Sequence, residues 1–314
     1  MNLTVSDEQR SIVASVGKLL TDVGRDDPER LWQGAVELGW FGLGLPEEQG
    51  GAGFGVVEEA LVAKEIGHHA TPGPLVATVL AARVAAYSGC DALAKDFLSG
   101  SARAAVTIPG AGDEVTLVDA GAATHLLVAA PDVVSLYAAT DCEGRQALPS
   151  IDEASTRESA RLAGLPLSSL AAAVDPVFRR GSLLTSAVLV GVAEACCDMS
   201  TDHAKTREQF GSPIGAFQSI KHRCADMAVG AAVADAQLVF AALSLDEGRP
   251  DAAEQVAALR VVATSSAMWN ARETIQVHGG MGFTWECPAH LYLKRVHALA
   301  GVFGSVRDHQ LALL

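Results

Sequence analysis

The run Thr206-Arg207-Glu208-Gln209-Phe210-Gly211-Ser212-Pro213-Ile214-Gly215-Ala216-Phe217-Gln218-Ser219-Ile220-Lys221-His222 gathers a guanidinium, amides, aromatic rings and glycine turns in one stretch. A planar guanidinium fork presented beside a turn suits a diphosphate, whose oxygens it can hold bidentately. Phe210 can cover a flat heterocycle, and Gln209 or Gln218 can bond its polar edge. About sixty residues later, Gln276-Val277-His278-Gly279-Gly280-Met281-Gly282-Phe283-Thr284 puts three glycines into four positions. With no Cβ atoms in the way, backbone N–H groups there can approach a bulky anion. Each segment alone has an ordinary explanation. A Gly-rich turn after a helix is commonly a C-cap, and an arginine before a turn is commonly a solvated surface residue. Together, and in this order, they point to a phosphate-bearing ligand with a flat ring.

Helices must hold these segments. Ser182 to Met199 reads as a buried helix before the first, and Ile220, Cys224, Met227 and Ala228 keep helical spacing after it. Gly211, Pro213 and Gly215 break the chain between them. Upstream, Ser6 with Gln9 three residues on forms a capping box that opens a helical region reaching about Ser99. Leu45-Pro46 and Gly50-Gly51 mark a loop within it. Glu58 to Ile66 resumes a helix, and Thr71-Pro72-Gly73-Pro74 breaks the chain again before Leu75 to Tyr87. Between Arg103 and Phe178 the texture changes. Ala104–Ile108, Val115–Val118, His125–Ala129 and Val133–Tyr137 are short apolar runs between turn residues and read as strands. From Arg180 the helical pattern returns to the end. The expected fold is mainly α with a small β middle domain, divided at residues 1–100, 101–178 and 179–314.

A chain of 314 residues is long enough for one large or two to three smaller domains. Hydrophobic residues make up 49 % and aromatic ones only 5 %, an Ala/Val/Leu excess that suits close-packed helices. The longest apolar run, Leu183 to Cys197, is interrupted by Thr185, Ser186 and Glu194. It falls short of the roughly 18–20 residues a bilayer span needs. No charged-then-apolar leader opens the chain, so a cytoplasmic protein without a membrane partner is expected. A net charge of −14 without a basic stripe speaks against nucleic acid, but not against an anion held locally by Arg207. Cys90, Cys142, Cys196, Cys197, Cys224 and Cys287 show neither metal spacing nor a compact disulfide pattern. Cys196-Cys197 reads as packing and His68-His69 as a polar helix end; no metal is expected.

At these residues the chain resembles the acyl-CoA dehydrogenase family. Arg207-x-x-Phe210-Gly211…Phe217-Gln218…Lys221-His222 is similar to the family's helix–turn–helix that reaches FAD. Gln276…Gly279-Gly280-x-Gly282 is similar to its second flavin-contacting segment. Leu38 to Gly53, with Pro46-Glu47-x-x-Gly50-Gly51, resembles the loop joining its early helices. The resemblance implies an N-terminal helical domain, a β domain that is reduced here, and a C-terminal four-helix bundle. It also implies FAD-dependent α,β-dehydrogenation of an acyl-CoA thioester. Arg207 would meet the FAD pyrophosphate and Phe210 the adenine. Gln218 and Gln276 would bond the ADP portion, while Gly279 and Gly280 would allow close backbone approach.

Two parts of the family pattern are missing. Its middle domain normally surrounds the flavin ring with a Thr-, Ser- and Gly-rich loop and a Trp-bearing strand. Here the suggestive loop, Pro109-Gly110-Ala111-Gly112-Asp113, reads as a plain hairpin turn, and no Trp stands between Trp40 and Trp269. The catalytic base, a carboxylate in a dry cleft, is carried by most members as Glu-Gly-Thr in the turn before the last helix. That turn reads Gly301-Val302-Phe303-Gly304-Ser305-Val306, with Phe303 at or beside the Glu position. Some relatives place the base near the start of the helix expected here around Ser182, but Arg179 to Leu184 holds no carboxylate. Glu194 lies about three turns further on, a position expected to face solvent or a neighbour. No catalytic residue is assigned to this chain.

In the family, FAD lies across a subunit interface. One subunit gives the β domain and base, the other the two ADP-side segments. This chain keeps the second set and lacks the first. It is thus similar to the small, base-lacking subunit of actinobacterial α2β2 acyl-CoA dehydrogenases, several of which act on bulky steroid-derived CoA thioesters. The implied partners are a second acyl-CoA dehydrogenase-like chain, the acyl-CoA and an electron-transfer flavoprotein. Two alternatives stand beside this: a self-sufficient homo-oligomer using Asp308 or Glu47-Glu48 as base, or a non-catalytic scaffold. A scaffold would need neither Arg207 nor the Gly279-Gly280 turn.

Overall fold

The protein was analysed as a computed structural model that describes residues 6–314. Its first helix, α1 (Asp7–Val23), opens on the expected capping box: Ser6 Oγ accepts from the Gln9 N–H at 3.1 Å, and Gln9 Oε1 accepts from the Ser6 N–H at 2.9 Å. Next come α2 (Pro28–Glu37), α3 (Val56–His68), α4 (Leu75–Tyr87) and α5 (Asp91–Leu98). Helix α4 is apolar on nearly all sides because it is walled in on nearly all sides, with Leu80, Ala81, Ala82 and Val84 fully buried.

Seven strands follow: β1 (Ala104–Pro109), β2 (Glu114–Val118), β3 (His125–Ala129), β4 (Val133–Ala138), β5 (Cys142–Leu148), β6 (Arg157–Leu162) and β7 (Ser168–Ala171). They form one sheet in the order β5-β6-β2-β1-β3-β4-β7, with β1 and β3 parallel and the other pairs antiparallel. Alternation splits each inner strand between two cores. Ala104, Val106, Val118, Leu127 and Leu136 join the helical core, while Ala105, Leu117, Leu126 and Ala160 form a small core on the opposite face. The Pro109–Asp113 loop is the plain β1–β2 turn expected, closed by Gly110 N–H to Glu114 O at 2.8 Å. Strands β5, β6 and β7 escaped the sequence reading. Cys-Glu-Gly-Arg-Gln-Ala-Leu of β5 is an exposed edge, held by cross-strand charge such as Arg145–Glu158 at 2.7 Å rather than by apolar alternation.

The long helices α6 (Val177–Thr206), α7 (Gln218–Asp246) and α8 (Ala252–His278) pack side by side, with α9 (Ala289–Leu299) against α8 and α6, and α10 (Val306–Leu311) closing the chain. Helix α6 starts at Val177, five residues earlier than the apolar run from Ser182 suggested. Its charged first turn is tolerated inside because Arg180 pairs with the buried Glu59 of α3. Where α3 crosses α6, a Cβ on Gly67 would overlap the Val188 carbonyl, and one on Gly191 the Lys64 carbonyl. Only glycine lets these backbones come so close. Beside the crossing, Lys64 bridges Glu194 of α6 (3.1 Å) and Asp235 of α7 (2.8 Å), so Glu194 faces a neighbour. Burial opposes the Lys64 charge, yet the two carboxylates outweigh it and hold the ammonium above its usual range.

One expectation needs correction. Among the described residues, α6 and α7 are both long and apolar enough, by length and composition alone, to cross a membrane. The α6 window is 78 % covered by the protein, that of α7 only 33 %. Helix α7 is rich in alanine and valine, with Asp226 and Asp235 set within it.

Candidate functional site

The two segments singled out in the sequence leave the C-terminal ends of neighbouring helices. Arg207 follows the last turn of α6, its N–H bonded to His203 O at 2.8 Å. Beyond it, β8 (Glu208–Gln209) and β9 (Ser212–Pro213) form a hairpin whose two-residue loop is Phe210-Gly211, both left-handed at φ +54° and +80°. That turn suits glycine or asparagine; a phenylalanine adopts it against its preference. Phe210 is 94 % exposed, and its ring meets that of Phe217 edge-on at 6.0 Å. Helix α7 then opens at Gln218 with no side chain capping its first-turn N–H groups. Gln218 is exposed, and among the described residues no carboxylate pairs with Arg207.

Gln276 is exposed near the end of α8, and Gly279 leaves the helix at φ +61°. A Cβ on Gly279 or Gly280 would meet nothing within 4 Å, whereas one on Gly282 would overlap Ile275 O. The sequence treated these glycines as one device, and the structure separates them. Gly282 serves the fold, while Gly279 and Gly280 border open space. What joins the two segments was not singled out in the sequence. His203 of α6 and His278 of α8 stack at 4.1 Å between centroids and 23° between planes. An unpaired guanidinium, bare backbone beside open space, an uncapped helix N-terminus and an exposed ring together fit an ADP-bearing ligand. All of these groups face open space or solvent rather than the core of the chain.

The opposite end of α6 is built differently. A cleft of about 660 Å³ lies between the sheet and the bundle, lined by Thr107, Ile108 and Pro109 of β1, Phe178 and Ser182 of α6, and Phe303. Phe303 is 4 % exposed and left-handed at φ +55°, and its ring fills the space that a Cβ on Gly181 would need. Phe178 meets it edge-on at 6.0 Å. The turn carrying it is pinned by Arg260, fully buried on α8, which donates to Leu299 O (2.7 Å) and Val302 O (3.1 Å). With no carboxylate beside it, burial pulls the Arg260 guanidinium down to about 10.

The carboxylates lining this cleft are Asp132 and Asp308. Asp308 accepts from the Ser305 N–H (2.8 Å) and Oγ (2.7 Å), closing the capping box whose N-cap is Ser305 at the start of α10. Those bonds hold it below the usual carboxylate range, a poor setting for a base. Asp132, on the exposed β3–β4 turn, was not weighed from sequence because nothing there links it to the distant Phe303 turn. Glu47 and Glu48 line a separate cleft with Arg83 and Asp175. The two ends of α6 are far apart: from Arg179 to Arg207 is 28 residue steps, about 42 Å of helix.

Residues 6–105 match the family model described as acyl-CoA dehydrogenase, N-terminal domain, and residues 172–306 that described as acyl-CoA dehydrogenase, C-terminal domain. Acyl-CoA dehydrogenase IpdE2 of Mycobacterium tuberculosis is 33 % identical over 92 % of this chain and 86 % of its own length. Among solved structures, the ChsE4-ChsE5 complex from Mycobacterium tuberculosis matches with a TM-score of 0.85 and 24 % identity, over 100 % of this chain and 98 % of that one. A variant of the Tcur3481-Tcur3483 steroid ACAD matches with a TM-score of 0.83 and 24 % identity, over 99 % and 97 %.

Proposed function

We propose, starting from a chain that belongs to the acyl-CoA dehydrogenase family, that this protein is the base-lacking subunit of an enzyme assembled from two unlike chains. The family is one of FAD-dependent oxidoreductases. FAD, when bound, supplies the hydride acceptor for α,β-dehydrogenation of an acyl-CoA thioester. Arg207 would hold its pyrophosphate, with the uncapped α7 N-terminus adding to the positive field. Phe210 would lie against the adenine. Gln218 and Gln276 would bond the ADP portion, and Gly279 and Gly280 would admit it to the backbone.

The observation that carries this reading is the contrast between an open, unpaired ADP half-site and a hydrocarbon ring where the base belongs. Proton abstraction needs a carboxylate in a water-poor cleft. Phe303 cannot accept a proton, and Asp308 is tied down in the capping box with Ser305. A partner chain would supply the base and the surface around the flavin ring. Two unlike chains in the ChsE4-ChsE5 structure support such an assembly, and the description of the Tcur3481-Tcur3483 protein as a steroid ACAD supports a bulky, steroid-derived acyl group. In this reading the assembly is cytoplasmic and passes electrons to an electron-transfer flavoprotein.

The deciding measurement is FAD content per chain, first for the protein alone and then after co-expression with an acyl-CoA dehydrogenase-like chain. The expected outcome is apoprotein alone and one flavin per unlike pair. One flavin per chain in the solitary protein would overturn the proposal.

A further inference from the structure

The expected FAD-facing segments hang from α6 and α8, and a ladder of polar contacts sets the register of those helices. Asn270 of α8 donates through Nδ2 to Ala193 O of α6 (2.8 Å) and Met227 O of α7 (3.0 Å). Four residues on, Thr274 Oγ1 lies 3.0 Å from Cys196 O and accepts from Ser200 Oγ at 3.0 Å. Four further on, His278 stacks on His203. Positions four apart share one helix face, so Asn270, Thr274 and His278 form a single line against α6. The first two rungs are buried; the third is half-exposed and is the last contact before both helices end.

We propose that His203 and His278 are positioning residues for cofactor capture: their stack fixes the Arg207 backbone against the Gly279-Gly280 turn. This rests on reading those segments as the ADP half-site. His278 is itself oriented, because its Nδ1 donates to Thr274 O at 2.8 Å. The His203 ring makes no hydrogen bond among the described residues, and the stack on His278 is its aromatic contact. His203 O also accepts the Arg207 N–H at 2.8 Å, so the residue that carries the stacked ring is tied through the backbone to Arg207 one turn on. Releasing the ring would loosen that turn and let Arg207 and the glycine turn drift apart. An aromatic pair contributes through ring overlap, so phenylalanine can replace histidine here while alanine cannot.

The test uses the co-expressed complex with His203→Ala, His278→Ala, His203→Phe and Arg207→Ala, reading FAD Kd by flavin fluorescence. A second readout needs no FAD: hydrogen exchange of the amides of residues 207–211 and 279–283 in the chain alone. Either alanine variant at the stack should weaken FAD by about two- to tenfold, the range an aromatic pair's coupling converts to. Exchange in both segments should quicken, and His203→Phe should restore both readouts. Unchanged Kd and exchange in the alanine variants would overturn the clamp. So would equal loss in His203→Phe, since the imidazole itself would then be needed. If Arg207→Ala keeps its FAD, the half-site reading fails; if it loses FAD while His203→Ala does not, only the clamp fails.

Discussion

The two ends of α6 have opposite characters. At its C-terminal end a guanidinium has no carboxylate partner among the described residues, a phenylalanine stands in solvent on a left-handed backbone, and two glycines border open space. At its N-terminal end another phenylalanine is also left-handed, but its ring is packed on Gly181 and Phe178 and its turn is pinned by a buried arginine. Backbone strain at the buried end is compensated by packing inside the chain. At the exposed end the Phe210 ring has an edge-on contact with Phe217 and is otherwise open to solvent, so far less packing offsets the strain there. The difference separates an end that the chain packs for itself from one that it leaves open, which is where the proposed partner and cofactor would act.

The largest expected effect tests the closed end. Phe303→Ala should remove about 3–5 kcal/mol of stability, as for other buried aromatics, and leave the FAD affinity of the complex unchanged. Urea unfolding beside a flavin titration would show both. Loss of FAD with intact stability would mean that Phe303 belongs to the site and that the contrast between the ends is false. At the open end the signs reverse. Arg207→Ala should leave stability alone but weaken FAD by about 2–5 kcal/mol, the range for a desolvated charge-assisted contact. A complex that kept full FAD at low protein concentration would remove Arg207 from the site.

Much of this was legible in the sequence because it is local. Strand β3 and helix α4 sit where apolar runs and turn residues put them, and the Ser6–Gln9 capping box is a short-range device. The candidate FAD-facing residues could be proposed from sequence for the same reason: each group lies within one contiguous segment. The His203–His278 stack was not, since its members are seventy-five residues apart and neither is unusual where it stands. The start of α6 was misread because its charged turn becomes acceptable only through Glu59 of α3. Strand β5 was missed because it is held by pairing along an exposed edge, which leaves no apolar pattern. Long-range compensation is what sequence periodicity cannot show.

Phe210 sharpens the comparison with a smaller effect of mixed sign. Asparagine tolerates the left-handed conformation of this turn, so Phe210→Asn should stabilise the isolated chain by about 1 kcal/mol. The same change should weaken FAD by about 1–3 kcal/mol, the usual range for a base stacked on an aromatic ring. Thermal unfolding of the chain alone and flavin titration of the complex would separate the two. If Phe210→Asn destabilised the chain, the ring would be serving the fold after all, and the open end would be less open than it looks.

Acid should give the smallest effect, and it should act on the closed end. His309 is buried beside Phe303, its Nε2 donating to Phe303 O at 3.0 Å with Ser182 Oγ at 3.4 Å. Burial pushes its imidazole below the ordinary value; the Phe303 carbonyl and Asp308 pull it up, and Arg260 pushes it down again. The folded state therefore prefers the neutral ring. The stability it contributes is full above the ordinary imidazole value of about 6.5 and is lost as pH falls from there towards the depressed folded value. His309→Gln keeps a donor for the Phe303 carbonyl and cannot titrate. Urea midpoints between about pH 5 and 7.5 should thus fall less steeply with acid in the variant than in the wild type. Equal slopes would show that the ring closing this end does not depend on a neutral His309, leaving Arg260 and the packing of Phe303 on Gly181 to hold the turn.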